Sequence, residues 1–423
     1  MIARNTYLEK LKNAAWNGKI KVITGIRRCG KSFLLFEIFQ KYLLSIGVSK
    51  KNIIKFELDQ LKDAEYRDPF RLYKCVNSKI QNSNEKYYLL IDEVQLSIKT
   101  VHPENSSIEI TVYDLLNDFR NRKNLDVYVT GSNSKMLSND IATEFRGRAT
   151  QIHVWPLSFA EYNAGIGGSV QRNFSAYMKY GGMPEIAAIS DETAKKDYLE
   201  SLFNELYIKD IVERQHIMRR DVLEKLLDFL SSSTGSLTNP ANITNSLRSQ
   251  HLEINHNTVS NYIGYIRDAF LINEAKRYDI KGKRYFDYPN KYYYTDPGLR
   301  NARLNFRQPD PGHTMENIIY NDLKARGCSV DIGVLADRKS GNQIQREIDF
   351  VVNLYDKRLY IQSAFEMASE EKQMAETAPL KLSKDFFTKI IVRNDIDENW
   401  RDNYGILHCR VTGFLLSDSL PGM

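Results

Sequence analysis

The sequence predicts an α/β protein of several domains, with a parallel, doubly wound sheet in its first 160 residues. Short apolar segments at 19–24, 52–58, 87–91 and 125–130 are separated by helical ones, a spacing typical of parallel strands with crossover helices. The segment at 87–91, YYLLI, is apolar throughout, as in strands buried on both faces. At 423 residues the chain is long enough for two to four domains.

The composition is that of a soluble globular protein. Hydrophobic residues make up 42% of the chain, charged residues 26%, and the net charge is +6. The sequence contains no run of about 18 apolar residues and no secretory leader, so we expect no membrane association and a cytoplasmic location. The four cysteines are scattered without a CxxC pair, which argues against a zinc site or a disulfide framework.

The first apolar strand is followed by GIRRCGKS at 25–32, which fits the phosphate-binding pattern G-x-x-x-x-G-K-[ST] between a strand and a helix. Backbone N–H groups of such a loop and the helix N-terminus attract phosphate oxygens. We expect Lys31 to reach the β- and γ-phosphates and the Ser32 hydroxyl to bind magnesium. The predicted ATP-binding residues are Gly25, Ile26, Arg27, Arg28, Cys29, Gly30, Lys31, Ser32 and Phe33.

Two carboxylates end the apolar strand at 87–91. Asp92 is suited to hold magnesium through water, and Glu93 to orient and deprotonate the attacking water. The alternative is a pair of solvated carboxylates, but the upstream loop favours the catalytic interpretation. No guanine-reading Asn-Lys-x-Asp sequence is present. The pattern therefore predicts an ATPase with ATP and Mg²⁺ as cofactors and Glu93 and Lys31 as catalytic residues.

Further polar residues follow the strand at 125–130. Ser132 and Asn133 are candidates to sense the γ-phosphate or the water, although a capped turn would place the same residue types there. Arg146 and Arg148 flank a glycine, and either would suit an arginine finger supplied to a neighbouring subunit. The alternative for both arginines is a surface ion pair.

Taken together, KVITGIRRCGKS, LLIDEVQ, VTGSNS, FRGRA followed by PLSFAEY, and YGGMPE resemble the archaeal and bacterial AAA-type P-loop ATPases whose core precedes a poorly characterised C-terminal domain. The resemblance covers essentially the whole chain. It implies ATP binding, hydrolysis and self-assembly into a homo-oligomer, and it carries these roles onto Gly30, Lys31, Ser32, Asp92 and Glu93. YGGMPE lies where related ATPases begin a helical lid.

Three helical segments and a basic hairpin after residue 217 have the order of a winged helix. The hairpin is rich in lysine, arginine and tyrosine, which is typical of a surface that contacts the backbone of double-stranded DNA. A winged helix that binds a protein partner is the alternative. The candidate DNA contacts are Asn257, Asn261, Lys276, Arg277, Lys281, Lys283 and Arg284.

The last segment resembles the PD-(D/E)XK nuclease fold, also called restriction-endonuclease-like. Glu316 lies on its first helix and Asp349 follows Glu347 on a strand, but Gln362 and Ala364 stand where an active enzyme carries Glu-x-Lys. Cleavage of a phosphodiester needs clustered carboxylates and a lysine. The replacement of this glutamate and lysine therefore argues against nuclease activity and for a degenerate binding module. An unrelated α/β cap is the alternative.

The predicted domains are a P-loop core at 1–160, a helical lid at 161–216, a winged helix at 217–307 and the nuclease-like domain at 308–423. The predicted function is ATP hydrolysis coupled to conformational change on a partner, with DNA favoured. Two alternatives remain: a nucleotide-gated switch that acts on a protein with little turnover, and an ATP-regulated nuclease.

Overall fold

The computed structural model describes residues 2–102, 105–132, 147–339, 342–354 and 356–421. The chain forms two compact units. The first comprises Met1–Trp155 with Asp268–Phe270, and the second comprises Pro156–Arg267 with Leu271–Met423. Within the described ranges, no helix combines the length and the apolar character needed to cross a membrane.

The first unit is built on a parallel sheet of five strands in the order β2-β3-β6-β1-β7. Strands β4 and β5 pair with each other in a separate antiparallel sheet. β1, β3 and β6 are buried along their whole length, which explains why they are mostly apolar and confirms the predicted parallel core. The two charged residues inside β1 and β6, Lys21 and Asp126, form a buried ion pair with each other. The strands of this unit are β1 (Ile20–Thr24), β2 (Ile53–Glu57), β3 (Tyr87–Asp92), β4 (Thr100–His102), β5 (Asn105–Ile110), β6 (Leu125–Gly131) and β7 (Ala149–His153).

The longer helices of the first unit bury apolar side chains in its core. The helix Val112–Arg120 begins with a capping box, in which Thr111 and Asp114 exchange side-chain and backbone hydrogen bonds, and packs Leu116 and Phe119 into the core. The helical segments of this unit are Asn5–Ala14, the continuous run Lys31–Phe33, Leu34–Phe39 and Gln40–Ser45, then Lys50–Asn52, Leu61–Arg67, Pro69–Lys79, Val94–Leu96 and Val112–Arg120.

The second unit begins with helices and ends in a mixed sheet. Prolines and side-chain caps mark several helix starts, as where the Asn239 side chain accepts from Asn242 N–H ahead of Pro240. Its helical segments are Phe159–Ile166, Val170–Tyr180, Pro184–Ala187, Glu192–Ser201, Leu202–Ile208, Lys209–Gln215, Arg220–Ser232, Pro240–Ser249, His256–Asp268, Pro297–Arg303, Pro311–Ala325, Glu370–Leu382 and Val411–Leu416.

The sheet of the second unit has eight strands in the order β14-β15-β13-β12-β11-β10-β8-β9. The basic hairpin β8–β9 belongs to it, because β8 pairs in parallel with β10 through Arg277 and Ile332. The predicted domain boundary at 307/308 therefore falls within one sheet. The strands are β8 (Ile272–Asp279), β9 (Arg284–Tyr294), β10 (Ser329–Lys339), β11 (Asn342–Leu354), β12 (Lys357–Ala364), β13 (Thr388–Arg393), β14 (Trp400–Arg401) and β15 (Leu407–Arg410).

The paired glycines of YGGMPE are explained by close approaches to a buried carboxylate and to a backbone carbonyl group. Asp296 accepts hydrogen bonds from Gly182 N–H at 2.6 Å and from Leu299 N–H at 3.2 Å. A Cβ on Gly181 would lie 2.0 Å from the Asp296 Oδ1 atom, and one on Gly182 would lie 2.1 Å from the Leu157 carbonyl oxygen. Both positions therefore require glycine. A lid role for the surrounding helices remains a prediction.

Candidate active site

The phosphate-binding loop joins the end of β1 to the helix that begins at Lys31. Gly25 has φ +146°, and a Cβ there would lie 2.2 Å from the Val154 carbonyl oxygen. Gly30 has φ +96° and immediately precedes the helix. Left-handed backbone and close approach thus account for the glycines at both ends of the motif. Between them, Arg28 is exposed and Ile26 is buried.

Lys31 is only 3% exposed, yet its partners are neutral. Its Nζ donates to the carbonyl oxygens of Gly25 and Ile26, each at 3.0 Å. Among the residues that the structure describes, no carboxylate forms an ion pair with this ammonium group. The loop therefore holds this buried ammonium group with backbone carbonyl dipoles, and an anion that approached it would have no carboxylate of the described residues to displace.

A residue that the sequence did not indicate holds the loop from the N-terminal side. Arg4 donates to the Cys29 carbonyl oxygen at 3.2 Å and to the Trp155 carbonyl oxygen at 2.6 Å. Cys29 is fully buried and its thiol donates to the Val154 carbonyl oxygen at 3.3 Å. Its side chain packs against the segment after β7, so any contribution of Cys29 to nucleotide binding comes from its backbone.

Asp92 ends β3 beside the first turn of the helix after the loop. It is 3% exposed and accepts hydrogen bonds from the Thr130 and Ser32 hydroxyl groups. Burial raises the pKa of Asp92, and these two hydrogen bonds oppose the rise. A hydroxyl and a carboxylate in contact are the oxygen ligands that Mg²⁺ takes from proteins when phosphates and waters complete its shell. Ser32 and Asp92 therefore fit the predicted magnesium site.

Glu93 follows Asp92 in the left-handed region of backbone space, at φ +51°. Its N–H donates to Thr130 Oγ1 at 2.9 Å, which fixes the turn after β3. Its Oε2 atom accepts from Ser132 Oγ at 3.3 Å and from the side-chain amide of Gln95. Arg27 Nε in turn donates to Ser132 Oγ at 3.4 Å. The structure thus brings Glu93, Ser132 and the loop together, as β3, β6 and β1 are neighbouring parallel strands.

Asn133 and Arg146 lie outside the described residues. Arg148 is exposed, and its carbonyl oxygen accepts from Ile20 N–H at 3.1 Å beside β1. Its role as an arginine finger remains a prediction.

Comparison with known proteins identifies the family. Residues 17–163 match the family model described as "AAA domain", and residues 171–310 match one described as "Domain of unknown function". An uncharacterised protein of Haemophilus influenzae is 33% identical over 397 residues, covering 93% of each chain. The chain belongs to the family of archaeal and bacterial AAA-type P-loop ATPases. An uncharacterised protein of Methanocaldococcus jannaschii is 28% identical and covers 89% of this ATPase and 82% of its own length.

Solved structures similar to this AAA ATPase include two archaeal proteins. The Aeropyrum pernix ORC1 protein in complex with DNA is 12% identical with a TM-score of 0.29, covering 72% of this chain and 93% of its own. Cdc6p from Pyrobaculum aerophilum is 10% identical with a TM-score of 0.29, and the match covers 75% of this chain and 94% of Cdc6p.

In the second unit of the AAA ATPase, the residues predicted to contact DNA divide by exposure. Arg277 is 7% exposed, donates to Gln345 Oε1 at 2.5 Å and lies 5.1 Å from the Phe286 ring centroid. The prediction of a surface contact by Arg277 is therefore wrong, since neighbouring strand residues face opposite sides of a sheet and Lys276 takes the outer one. The exposed candidates are Asn257, Asn261, Lys276, Lys281, Lys283 and Arg284, the last paired with Asp279 at 3.6 Å.

The residues predicted as a degenerate nuclease centre also meet in the second unit. Glu316, Asp349 and Gln362 line a cavity of about 630 Å³ together with Glu347. Both polar atoms of the Gln362 amide have partners within the protein, since its Oε1 accepts from Asp349 N–H at 3.3 Å and its Nε2 donates to Glu376 at 2.9 Å. Within the described ranges, no group of three or more His, Cys, Asp or Glu side chains is arranged to hold a metal ion.

Lys291, which the sequence did not indicate, occupies this cluster. Its Nζ lies 2.8 Å from Glu316, 2.7 Å from Glu347 and 3.6 Å from Asp349. Burial lowers the pKa of Lys291, but the three carboxylates outweigh it and raise the pKa overall. The pKa of Asp349 is also raised despite the nearby ammonium, because its own burial and Glu316 dominate. Lys291 therefore stays charged and is the counter-ion of this acidic cluster.

Proposed function

We propose that this AAA protein hydrolyses ATP in a Mg²⁺-dependent reaction and couples the cycle to conformational change on a partner, preferentially double-stranded DNA. One observation carries the ATPase proposal: the loop lysine, the Ser32–Asp92 pair and Glu93 meet at the carboxyl ends of β1, β3 and β6. Ligands bind outside the carboxyl ends of strands in open α/β sheets.

In the proposed mechanism, Lys31 exchanges its two carbonyl partners for oxygens of the β- and γ-phosphates. Backbone N–H groups of the loop and the helix N-terminus contribute further positive potential. Ser32 Oγ and the Asp92 carboxylate would hold Mg²⁺, which when bound supplies charge to offset that on the phosphate oxygens. Thr130 keeps Asp92 oriented towards this position.

Glu93 is proposed as the general base. As the oxygen of water bonds to the γ-phosphorus and the bond from that phosphorus to the ADP oxygen breaks, the Glu93 carboxylate accepts the water proton. The products are ADP and phosphate. The backbone turn at Glu93 and the contacts of this residue with Thr130 and Ser132 fix the direction of its carboxylate before the substrate binds.

Substitution of Glu93 by Gln tests this step. We expect at least a 100-fold loss of steady-state ATP turnover with ATP binding retained, since the amide cannot accept the proton. Glu65→Gln, at an exposed carboxylate of the same unit, is the matched control. If wild-type turnover is negligible and Glu93→Gln leaves it unaltered, the protein is instead a nucleotide-gated switch.

The DNA part of the proposal depends on the exposed cations of the β8–β9 hairpin. Lys281 and Lys283 stand in its turn, and Lys276 lies on the outer face of β8. Such cations bind phosphates and release counter-ions, so affinity falls as salt rises. Self-assembly into a homo-oligomer, implied by the family resemblance, is part of the same proposal.

A comparison of ATP turnover with and without duplex DNA at two salt concentrations tests the coupling. We expect stimulation that weakens at the higher salt. The double variant Lys281→Ala, Lys283→Ala should bind DNA with a weaker salt dependence. The magnitude of the slope of log association constant against log salt concentration should fall by about 2, roughly one unit per lysine. The control replaces the exposed Lys50 and Lys123 of the first unit. No stimulation at either salt concentration would favour a protein partner.

A further inference from the structure

Gln95 lies in the short helical turn Val94–Leu96, two residues after the proposed general base. Its side-chain Nε2 donates to Glu93 Oε2 and to Ser132 Oγ, the latter at 3.2 Å. Ser132 Oγ itself donates to the same Glu93 oxygen at 3.3 Å. Two donors from different segments of the chain therefore converge on one oxygen of the Glu93 carboxylate.

The other carboxylate oxygen of Glu93, Oε1, accepts no hydrogen bond from the part of the chain that the structure describes. A carboxylate with one oxygen held and the other without a donor has a defined direction and a lone pair available to a water molecule. The backbone adds to this restraint, because Glu93 N–H is bonded to Thr130. The arrangement is that of a base fixed in orientation before the water arrives.

The orientation of the Gln95 amide follows from charge. Only its NH₂ group can face the Glu93 carboxylate, since the carbonyl oxygen would be repelled there. That carbonyl oxygen is buried and, among the described residues, receives no hydrogen bond. A buried acceptor without a donor lowers stability, so packing alone does not explain an amide at this position.

We propose that Gln95 is a positioning residue for ATP hydrolysis, which together with Ser132 fixes the Glu93 carboxylate for proton abstraction. This inference rests on the proposed ATPase function. Gln95 acts through Glu93 and does not contact the phosphates. Its loss therefore lowers kcat and leaves nucleotide binding unchanged.

The test compares Gln95→Ala and the isosteric Gln95→Glu, which replaces the donor by a like charge, with Gln60→Glu as the matched control. Gln60 is exposed in the same unit and also donates to a carboxylate, Asp59 at 3.3 Å. We expect a roughly 10- to 100-fold lower kcat for both Gln95 variants, a KM for ATP within about twofold, and no change for the control. Binding of a fluorescent ATP analogue shows that each variant is folded.

A double variant separates positioning from a general structural defect. Once Glu93→Gln has removed the base, adding Gln95→Ala should change the single-turnover rate by less than about twofold, because the two residues act through one step. An unchanged kcat in both Gln95 variants, or an equal further loss on the Glu93→Gln background, would overturn the inference. Absence of turnover in the wild-type protein would overturn it together with the proposed function.

Discussion

Two buried lysines of this ATPase, Lys31 and Lys291, are held by opposite kinds of partner. Lys31 donates to two backbone carbonyl oxygens, whereas Lys291 lies among three carboxylates. A carbonyl dipole offsets the burial of an ammonium without cancelling its charge, so Lys31 keeps a field that attracts phosphate. The charge of Lys291 is cancelled several times over, and the cavity beside it offers an anion no net attraction. The partners of a buried lysine, more than its burial, decide whether it binds a ligand or stabilises the fold.

The largest expected effect on stability is at Lys291. Lys291→Met leaves Glu316, Glu347 and Asp349 without a counter-ion, and breaking a buried ion pair from one side costs about 3–5 kcal/mol. Urea unfolding of the variant and the wild type measures the loss. Lys281→Met at the exposed hairpin turn should change stability by less than about 0.5 kcal/mol.

A compensating variant sharpens the comparison. If the loss comes from unpaired charge, adding Glu316→Gln and Asp349→Asn to Lys291→Met should recover part of it, because neutral side chains need no counter-ion. A loss below about 1 kcal/mol for Lys291→Met alone would contradict the assignment of Lys291 as the counter-ion of the cluster.

Lys31→Ala should give the converse result. Because Lys31 donates to two carbonyl groups and, among the described residues, pairs with no carboxylate, its removal should cost little stability, whereas the positive field available to a phosphate is lost. We expect ATP turnover to fall about 10²- to 10³-fold, as for other groups that stabilise transition-state charge. Measurement of ATP turnover and urea unfolding on the same preparation tests the expected loss of activity and the expected retention of stability. Lys50→Ala, at an exposed lysine, is the control. Unfolding of Lys31→Ala as severe as that of Lys291→Met would show that the two lysines do not differ in kind.

The sequence predicted the first site more completely than the second, for a physical reason. GIRRCGKS and the Asp92–Glu93 pair are local patterns, and parallel strand order alone places their ends at one edge of a sheet. Lys291 joins Asp349 across 58 residues of chain, and Arg4 reaches Cys29 across 25, through tertiary contacts that no local pattern encodes.

The basic hairpin shows the same limit. Its strands were predicted, but their place in the eight-stranded sheet depends on the parallel pairing of β8 with β10, some 50 residues later. That pairing turns Arg277 inward, so a count of basic residues overstated the exposed charge. Gln95 had a sequence signal, a polar side chain two residues after Glu93, but its convergence with Ser132 required the fold.

Asp296 extends the comparison to a buried carboxylate whose hydrogen-bond donors, within the described part of the chain, are backbone N–H groups. Burial raises the pKa of Asp296 to about 6, and hydrogen bonds from Gly182, Leu299 and Gly298 limit the rise. Between about pH 4 and pH 6 the folded protein retains a proton that the unfolded chain has lost, so the free energy of unfolding falls as pH rises through this window. The difference of about 2 between the pKa values of Asp296 in the folded and unfolded chain corresponds to roughly 3 kcal/mol in the free energy of unfolding.

Unfolding curves between pH 4 and pH 7 for the wild type and Asp296→Asn test this linkage. The variant has no titrating group at this position. Its free energy of unfolding should therefore fall less than that of the wild type between pH 4 and pH 6, by roughly 3 kcal/mol. Parallel curves for the two proteins would mean that Asp296 does not titrate in this range.

The smallest effect expected here is at Tyr293, which separates the contributions of charge and hydrogen bonding around Lys291. The Tyr293 hydroxyl donates to Glu316 Oε1 at 2.6 Å, and the same oxygen lies 2.8 Å from Lys291 Nζ. Tyr293→Phe removes this donor and leaves the ammonium in place, so Glu316 keeps its counter-ion. We expect a loss of about 1.5 kcal/mol in urea unfolding, the value of one hydrogen bond to a charged group. In the Lys291→Met background, the Tyr293 hydroxyl is the one of these two donors to Glu316 that remains. Tyr293→Phe should then lower the free energy of unfolding by more than it does in the wild type. Equal costs in both backgrounds would show that the hydroxyl and the ammonium stabilise Glu316 independently, and the cluster would not act as a unit.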